Sequence, residues 1–273
     1  MRVVLLSDHP GDLLKQARLR GDKQQQRAMR EYESALRRHK TDVRKAEAER
    51  DKARAARRWL AWLRGVFAVR RLRRRAPTAP QAAGAPTDEE SKLAAGVEGE
   101  QFVADELGRT LSDDWALLRG YKNTRGEIDH LLLGPNGLVA IEVKSINGTV
   151  HCDGDSWRVD KFDRYGNLVE QYSLGDAGAR HRSPSVQLNE PADALEEFLR
   201  SRGQDVGVLR VVLLAHPRSK VGACRRATVS IFTRTSEVTR LLTKVKQPFD
   251  PATRAKLEDL IIRDHRHHAS RRR

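Results

Sequence analysis

GEIDHLLLGPNGLVAIEVKS, Gly126 to Ser145, decides how this chain is read. Two apolar runs flank Gly134-Pro135-Asn136-Gly137, a loop with strong turn chemistry, so the segment reads as a β-hairpin. Setting Leu133 opposite Leu138 places Asp129 opposite Glu142 and Glu127 opposite Lys144. Alternation along the strands then puts Asp129, Glu142 and Lys144 on one face. Opposed residues hold their Cβ atoms about 4.5 to 5.5 Å apart, where two like charges destabilise a bare hairpin. A hard divalent cation would compensate them. Mg²⁺ suits, because it takes few protein carboxylates and keeps several waters, and Mn²⁺ is its alternative. Lys144 would set a positive charge beside the metal, to position or help deprotonate a water and to stabilise charge developing on a phosphate.

The reactive face also carries Leu131, Leu133, Leu138 and Ala140, and the other face carries Ile128, His130 and Leu132 against Val139, Ile141 and Val143. Both faces therefore read as buried along most of the hairpin. A simpler account is an ion-pair ladder, Glu127 with Lys144 and Asp129 with Arg125. That ladder suits an exposed hairpin, whereas charges at the end of a buried sheet are costly unless paired or functional.

An acid followed by a turn and then Glu142-Val143-Lys144 resembles the PD-(D/E)xK nuclease superfamily. Three segments in order, GVEGE (Gly96 to Glu100), GEIDHLLL (Gly126 to Leu133) and GLVAIEVKS (Gly137 to Ser145), resemble the nuclease-related domain family, NERD. The resemblance covers roughly Ala94 to Leu199. It implies an α/β fold of the restriction-endonuclease type, an α/β/α core with a mixed central sheet, and a magnesium-dependent nuclease activity. Within it, the aspartate of the first motif matches Asp129, and the acid and lysine of the second match Glu142 and Lys144. The glutamate contributed by the first helix matches Glu100, which shares a helical face with Val103, Ala104 and Leu107, whereas Glu98 aligns with Asp105 on a solvated face. Gln187 matches the glutamine of a later helix, although Pro191 interrupts that stretch. The implied metal ligands are Asp129, Glu142 and Glu100, and the implied catalytic set adds Lys144 and Gln187.

Outward from the hairpin, strand-type runs occur around Trp115 to Tyr121, Thr149 to Val159 and Val208 to His216. Helical patterns run from Asp88 to about Leu111, from Ser185 to Arg200 and beyond Thr235. His151 and Asp153 read as loop residues of an edge hairpin. The expected division is a basic, mainly helical extension over 1–75, a Pro/Ala-rich linker over 76–87, the nuclease-like domain over 88–235, and a helical segment with a disordered basic tail over 236–273. That tail contains His265, His267, His268 and Arg271 to Arg273.

The chain has 273 residues and a formal charge of +15. Residues 1–75 hold 23 Lys and Arg against 9 Asp and Glu, net +14, while the remainder holds 29 against 28. So concentrated a charge attracts polyanions, with a solvated charged helix as the plainer reading. The apolar positions from Gly11 to Arg58 are too sparse for a sustained heptad seam, and self-association through this helix stays open. WLAWLRGVFAV, Trp59 to Val69, is half a membrane span bracketed by arginines, and residues 57–75 could lie on an anionic membrane surface, dock on the core or meet a second copy. Cys152 and Cys224 stand far apart, without metal-ligand spacing or a disulfide framework, which fits a cytoplasmic setting, peripheral to the membrane if the arm binds lipid. No secretory signal, phosphate-binding glycine loop or nucleophile elbow is visible. The expected function is hydrolysis of phosphodiester bonds in DNA. The alternative is a catalytically silent protein that binds or scaffolds nucleic acid.

Overall fold

The computed structural model describes residues 1–80, 86–175, 182–243 and 248–270. They form two compact units, one of residues 1–13 and 92–273, the other of residues 14–91. Part of the expected linker, 81–85, and Arg271 to Arg273 lie outside the described residues.

In chain order the elements are β1 (Arg2–Leu5), α1 (His9–Ala55), α2 (Trp59–Arg74), α3 (Asp88–Thr110), β2 (Ala116–Lys122), β3 (Glu127–Gly134), β4 (Gly137–Lys144), β5 (Thr149–Asp153), β6 (Ser156–Phe162) and β7 (Leu168–Ser173). There follow α4 (Pro184–Ser201), β8 (Val208–Leu214), β9 (Lys220–Arg225), β10 (Ser230–Phe232), α5 (Thr235–Leu242) and α6 (Pro251–Ser270). A mixed six-stranded sheet has the order β1-β2-β3-β4-β8-β10, and a second sheet has the order β7-β6-β5-β9. The hairpin of β3 and β4 takes the expected register, Leu133 opposite Leu138 and His130 opposite Ile141.

Apolar side chains cover both faces of the six-stranded sheet. Leu131, Leu133, Leu138 and Ala140 pack with Leu188, Ala192, Leu195 and Leu199 of α4 and with Leu257 and Ile261 of α6. Leu132, Val139, Ile141 and Val143 pack with Val103, Ala104 and Leu107 of α3 and with Val238 and Leu242 of α5. The result is a layer of helices on each face, an α/β/α core. Ile128 leaves its expected face and joins Tyr121 in the α4 cluster. On the paired strand, Gly120 falls between the Arg119–His130 and Tyr121–Ile128 pairs and takes φ +70°, a conformation open to glycine and strained for residues with a Cβ.

Sequence boundaries shift at both ends. Residues 1–13 belong to the core unit, because β1 extends the sheet in parallel with β2 and the N-terminal ammonium bonds Asp113 at 2.9 Å and the Leu111 carbonyl at 3.2 Å. The tail expected to be disordered is helical through Ser270: Leu257 and Ile261 are fully buried, Asp264 accepts from the Tyr121 hydroxyl, and His265 Nδ1 accepts from the Lys122 N–H at 3.1 Å. His151 and Asp153 lie on β5, an interior strand between β6 and β9, so they are not in an edge hairpin. The cysteines, distant in sequence, are register partners across β5 and β9.

The unit of residues 14–91 holds most of α1 and the shorter α2. Between them Arg57 takes φ 54° and the chain reverses, bringing Gly65 against Arg50 and pairing Arg73 with Glu47 at 2.6 Å. Among the described residues, no helix is long and apolar enough to cross a membrane.

Candidate active site

The site grows from the point where the hairpin stops being a hairpin. Up to His130 and Ile141 the two strands pair with each other. Beyond that point β3 continues along β2, with Tyr121 opposite Ile128, while β4 continues along β8, with Glu142 opposite Val212 and Lys144 opposite Leu214. The expected ladder pairs Asp129–Glu142 and Glu127–Lys144 therefore do not form. Each strand follows its outer neighbour and the sheet forks. Asp129 fills the fork, its Oδ2 accepting the Val143 N–H at 2.7 Å, where a backbone carbonyl would otherwise sit.

Lys144 Nζ reaches Glu142 Oε1 at 2.6 Å and donates to Gln187 Oε1 at 2.8 Å. Gln187 is itself held by the Arg182 carbonyl, which accepts from its Nε2 at 2.5 Å. Pro191 does not break α4. Lacking an N–H, it leaves the Gln187 carbonyl without its regular helical donor, and its own carbonyl accepts from Asn123 at 2.8 Å. The structure thus brings Gln187 to Lys144 at the end of β4. Arg125 and Asp129 form no ion pair among the described residues: Arg125 is exposed, its backbone N–H donating to the Asn123 side-chain oxygen at 3.0 Å, and the Asp129 carboxylate accepts from β4.

Glu100 enters from α3, on the buried side of the helix, whereas Glu98 is exposed. His130 fixes this approach, its Nε2 lying 3.2 Å from the Glu100 carbonyl. Burial pushes the His130 pKa down to about 4, with Arg119 acting in the same direction, so the ring is neutral and its Nε2 carries the proton. His130 had read as an ordinary member of the apolar face. Its role in seating α3 has no signal in spacing, because its partner is a backbone atom 30 positions away.

Charge accumulates here. Burial raises the Asp129 pKa well above the usual carboxylate range, Glu142 and Glu100 add to the rise, and Lys144 and the Val143 N–H oppose it. Burial also pushes Glu100 up to about 7, helped by Glu142, Glu127 and Asp8 and opposed by Arg119. Lys144 is desolvated, which favours the neutral amine, yet Glu142 and Asp129 outweigh this and raise its pKa. Glu142 is only 4% exposed. The N-terminal segment contributes more than the sequence suggested: Ser7 donates to Glu127 at 2.9 Å, and Asp8, whose side chain caps α1 at the Gly11 N–H, acts on Glu100.

The donor set is one of hard oxygens, which suits Mg²⁺ or Mn²⁺. Among the described residues, however, no three carboxylate, imidazole or thiol groups are spaced to hold a metal ion. Asp129 and Glu142 with bound waters fit the habit of Mg²⁺, which takes one or two protein carboxylates, better than a closed three-residue cage would.

Where β4 ends, a groove begins. The Ala215 N–H donates to the Lys144 carbonyl at 3.0 Å, and the Lys220 N–H to the Gly148 carbonyl at 3.0 Å, so residues 215–220 follow the chain as it leaves Lys144. A space of about 510 Å³ there is lined by Thr149, Lys161, Phe162, Asp163, Arg218 and Lys220 among others. Sequence reasoning missed it, because β9 lacks a clear alternation and its placement depends on a long-range parallel pairing with β5.

Residues 95–215 match the model of the nuclease-related domain. No curated protein and no solved structure matches the chain.

Proposed function

Taking residues 95–215 as a nuclease-related domain, we propose that the chain hydrolyses phosphodiester bonds in DNA, with Mg²⁺, or Mn²⁺ in its place, held by Asp129 and Glu142 and assisted by Glu100. The observation that carries this reading is the fork in the sheet, where two carboxylates and an ammonium share a confined site that the fold alone does not require. A bound divalent ion would supply Lewis-acid polarisation of the phosphate and a more acidic water.

The chain's own residues divide the remaining tasks. Asp129 is fixed by the Val143 N–H and Glu142 by Lys144, so neither carboxylate must reorganise to act as a ligand. Lys144, held as an ammonium between Glu142 and Gln187, directs positive charge at the phosphate oxygens. Gln187 keeps that ammonium aimed into the site. Glu100, with its pKa near neutrality and within the electrostatic reach of Asp129 and Glu142, can accept or release a proton at its carboxyl group. Arg218 and Lys220 in the adjoining groove suit the backbone of an approaching strand, whose phosphates they would contact without regard to sequence.

The test is cleavage of supercoiled plasmid and of labelled single strands by the purified chain, with Mg²⁺, with Mn²⁺, with EDTA, and with an Asp129→Asn variant. Metal-dependent cutting that disappears in the variant is the expected result. DNA binding without cutting under either metal would replace this reading with that of a catalytically silent nucleic-acid-binding protein.

A further inference from the structure

The segment 57–75 carries eight arginines and no acidic residue, five of the arginines within α2 and three flanking it. Its inner side is accounted for within its own unit: Val69 is buried, Gly65 meets Arg50, and Arg73 pairs with Glu47. Its outer side is not. Leu60, Arg64, Phe67 and Arg71 fall on one helical face, with Leu60 75% and Phe67 67% exposed, and Trp59 beside them is 66% exposed and stacked on Trp62 at 4.9 Å.

We propose that this face is a docking site for an anionic lipid surface, and that α2 lies in the plane of the headgroups. Leu60 and Phe67 enter the boundary between headgroups and acyl chains, Trp59 sits at headgroup level, and Arg57, Arg58, Arg64, Arg70, Arg71 and Arg74 meet the lipid phosphates. Two signals coincide here, an apolar insertion and a polybasic cluster, and stable attachment to a membrane surface takes two. A second copy of the chain is a poorer occupant, because two such faces would oppose arginine to arginine. Nucleic acid would use the arginines but would leave Leu60 and Phe67 in water.

The experiment is co-sedimentation of the full chain with vesicles of phosphatidylcholine alone and of phosphatidylcholine with phosphatidylglycerol. It compares the wild type with a Leu60→Ser, Phe67→Ser double variant, whose positions are exposed enough to leave the fold intact, as circular dichroism would verify. Partitioning is expected onto the anionic vesicles only, at least about tenfold weaker for the double variant although its charge is unchanged. Brominated acyl chains should quench the wild-type tryptophan fluorescence, a change attributable to Trp59 and Trp62 because Trp115 and Trp157 are buried. Equal partitioning of the double variant, absence of binding to anionic vesicles, or complete release by duplex DNA at equal phosphate concentration would each overturn the proposal. Plasmid cleavage is read separately, so failure here leaves the nuclease reading untouched.

Discussion

The two ends of the β3–β4 hairpin are built from the same strands and do opposite things. Toward the turn, Leu131, Leu132 and Leu133 face Leu138, Val139 and Ala140, all fully or almost fully buried between helices. At the open end the pairing stops after His130 and Ile141, and Asp129, Glu142 and Lys144 occupy the gap. One end contributes burial and hydrogen-bonded ladder, the other concentrates charge whose desolvation is unfavourable. The site is thus stabilised by its surroundings, not by itself, and substitutions at the two ends should therefore separate activity from stability.

The largest expected effect lies at the open end. Asp129→Asn and Lys144→Ala should each lower the cleavage rate by about a hundredfold or more, the scale of losing a group that stabilises developing charge. The thermal midpoint should stay close to the wild type or rise for Asp129→Asn, which removes a like charge from beside Glu142, and should fall for Lys144→Ala, which leaves Glu142 buried without its ammonium partner. A variant that cuts at the wild-type rate would break the contrast. At the turn end the reverse holds. Leu132→Ala should cost about 3 kcal/mol of stability through lost burial and a residual cavity, measured by urea unfolding, while the activity per folded molecule is unchanged at low temperature.

That contrast also separates what was legible from what was not. The turn end was readable because its determinants are local: Gly134-Pro135-Asn136-Gly137 fixes the loop and alternation fixes the register. The same local rule, carried on to Asp129 and Glu142, failed, because at that point the strands answer to β2 and β8 instead of to each other. Asp129, Glu142, Lys144 and Glu100 were nameable from residue type and face, but the bonds that hold them were not. The strand β1 was invisible for a related reason. Four residues, RVVL, carry little pattern by themselves, and their partner β2 begins more than a hundred positions later. The adjacency of Cys152 and Cys224 likewise depends on a parallel pairing that no local signal encodes. The helical fate of His265 depends on Tyr121 and Lys122, equally remote.

A smaller effect sharpens the boundary of the open end. Gln187 touches Lys144 and not the carboxylates, so Gln187→Ala should weaken cleavage by about tenfold, the worth of one hydrogen bond to a charged group. Gln187→Glu, which keeps an acceptor and adds charge, should recover part of that loss. If Gln187→Ala matched Lys144→Ala in severity, Gln187 would contact the substrate directly and the site would extend farther along α4.

The smallest effect concerns protons at the same end. The Glu100 pKa lies near 7 in the fold against 4.5 in the unfolded chain, so between those values the native state binds more protons and the metal-free fold loses stability as pH rises. His130, near 4 in the fold against 6.5 when unfolded, acts in the opposite direction over much of the same range. The wild-type profile alone therefore mixes two slopes, and a Glu100→Gln variant isolates one of them, because His130 is common to both proteins. With discount for the solvent that reaches the half-buried carboxyl, the variant should gain on the order of 1 kcal/mol relative to wild type between about pH 5 and 7.5 in EDTA. Divalent metal should narrow the gap above pH 7 by stabilising the ionised wild-type cluster. Parallel profiles in EDTA would mean that burial and the neighbouring carboxylates do not hold the Glu100 pKa up, and that the open end draws less on the turn end's stability than the contrast between them requires.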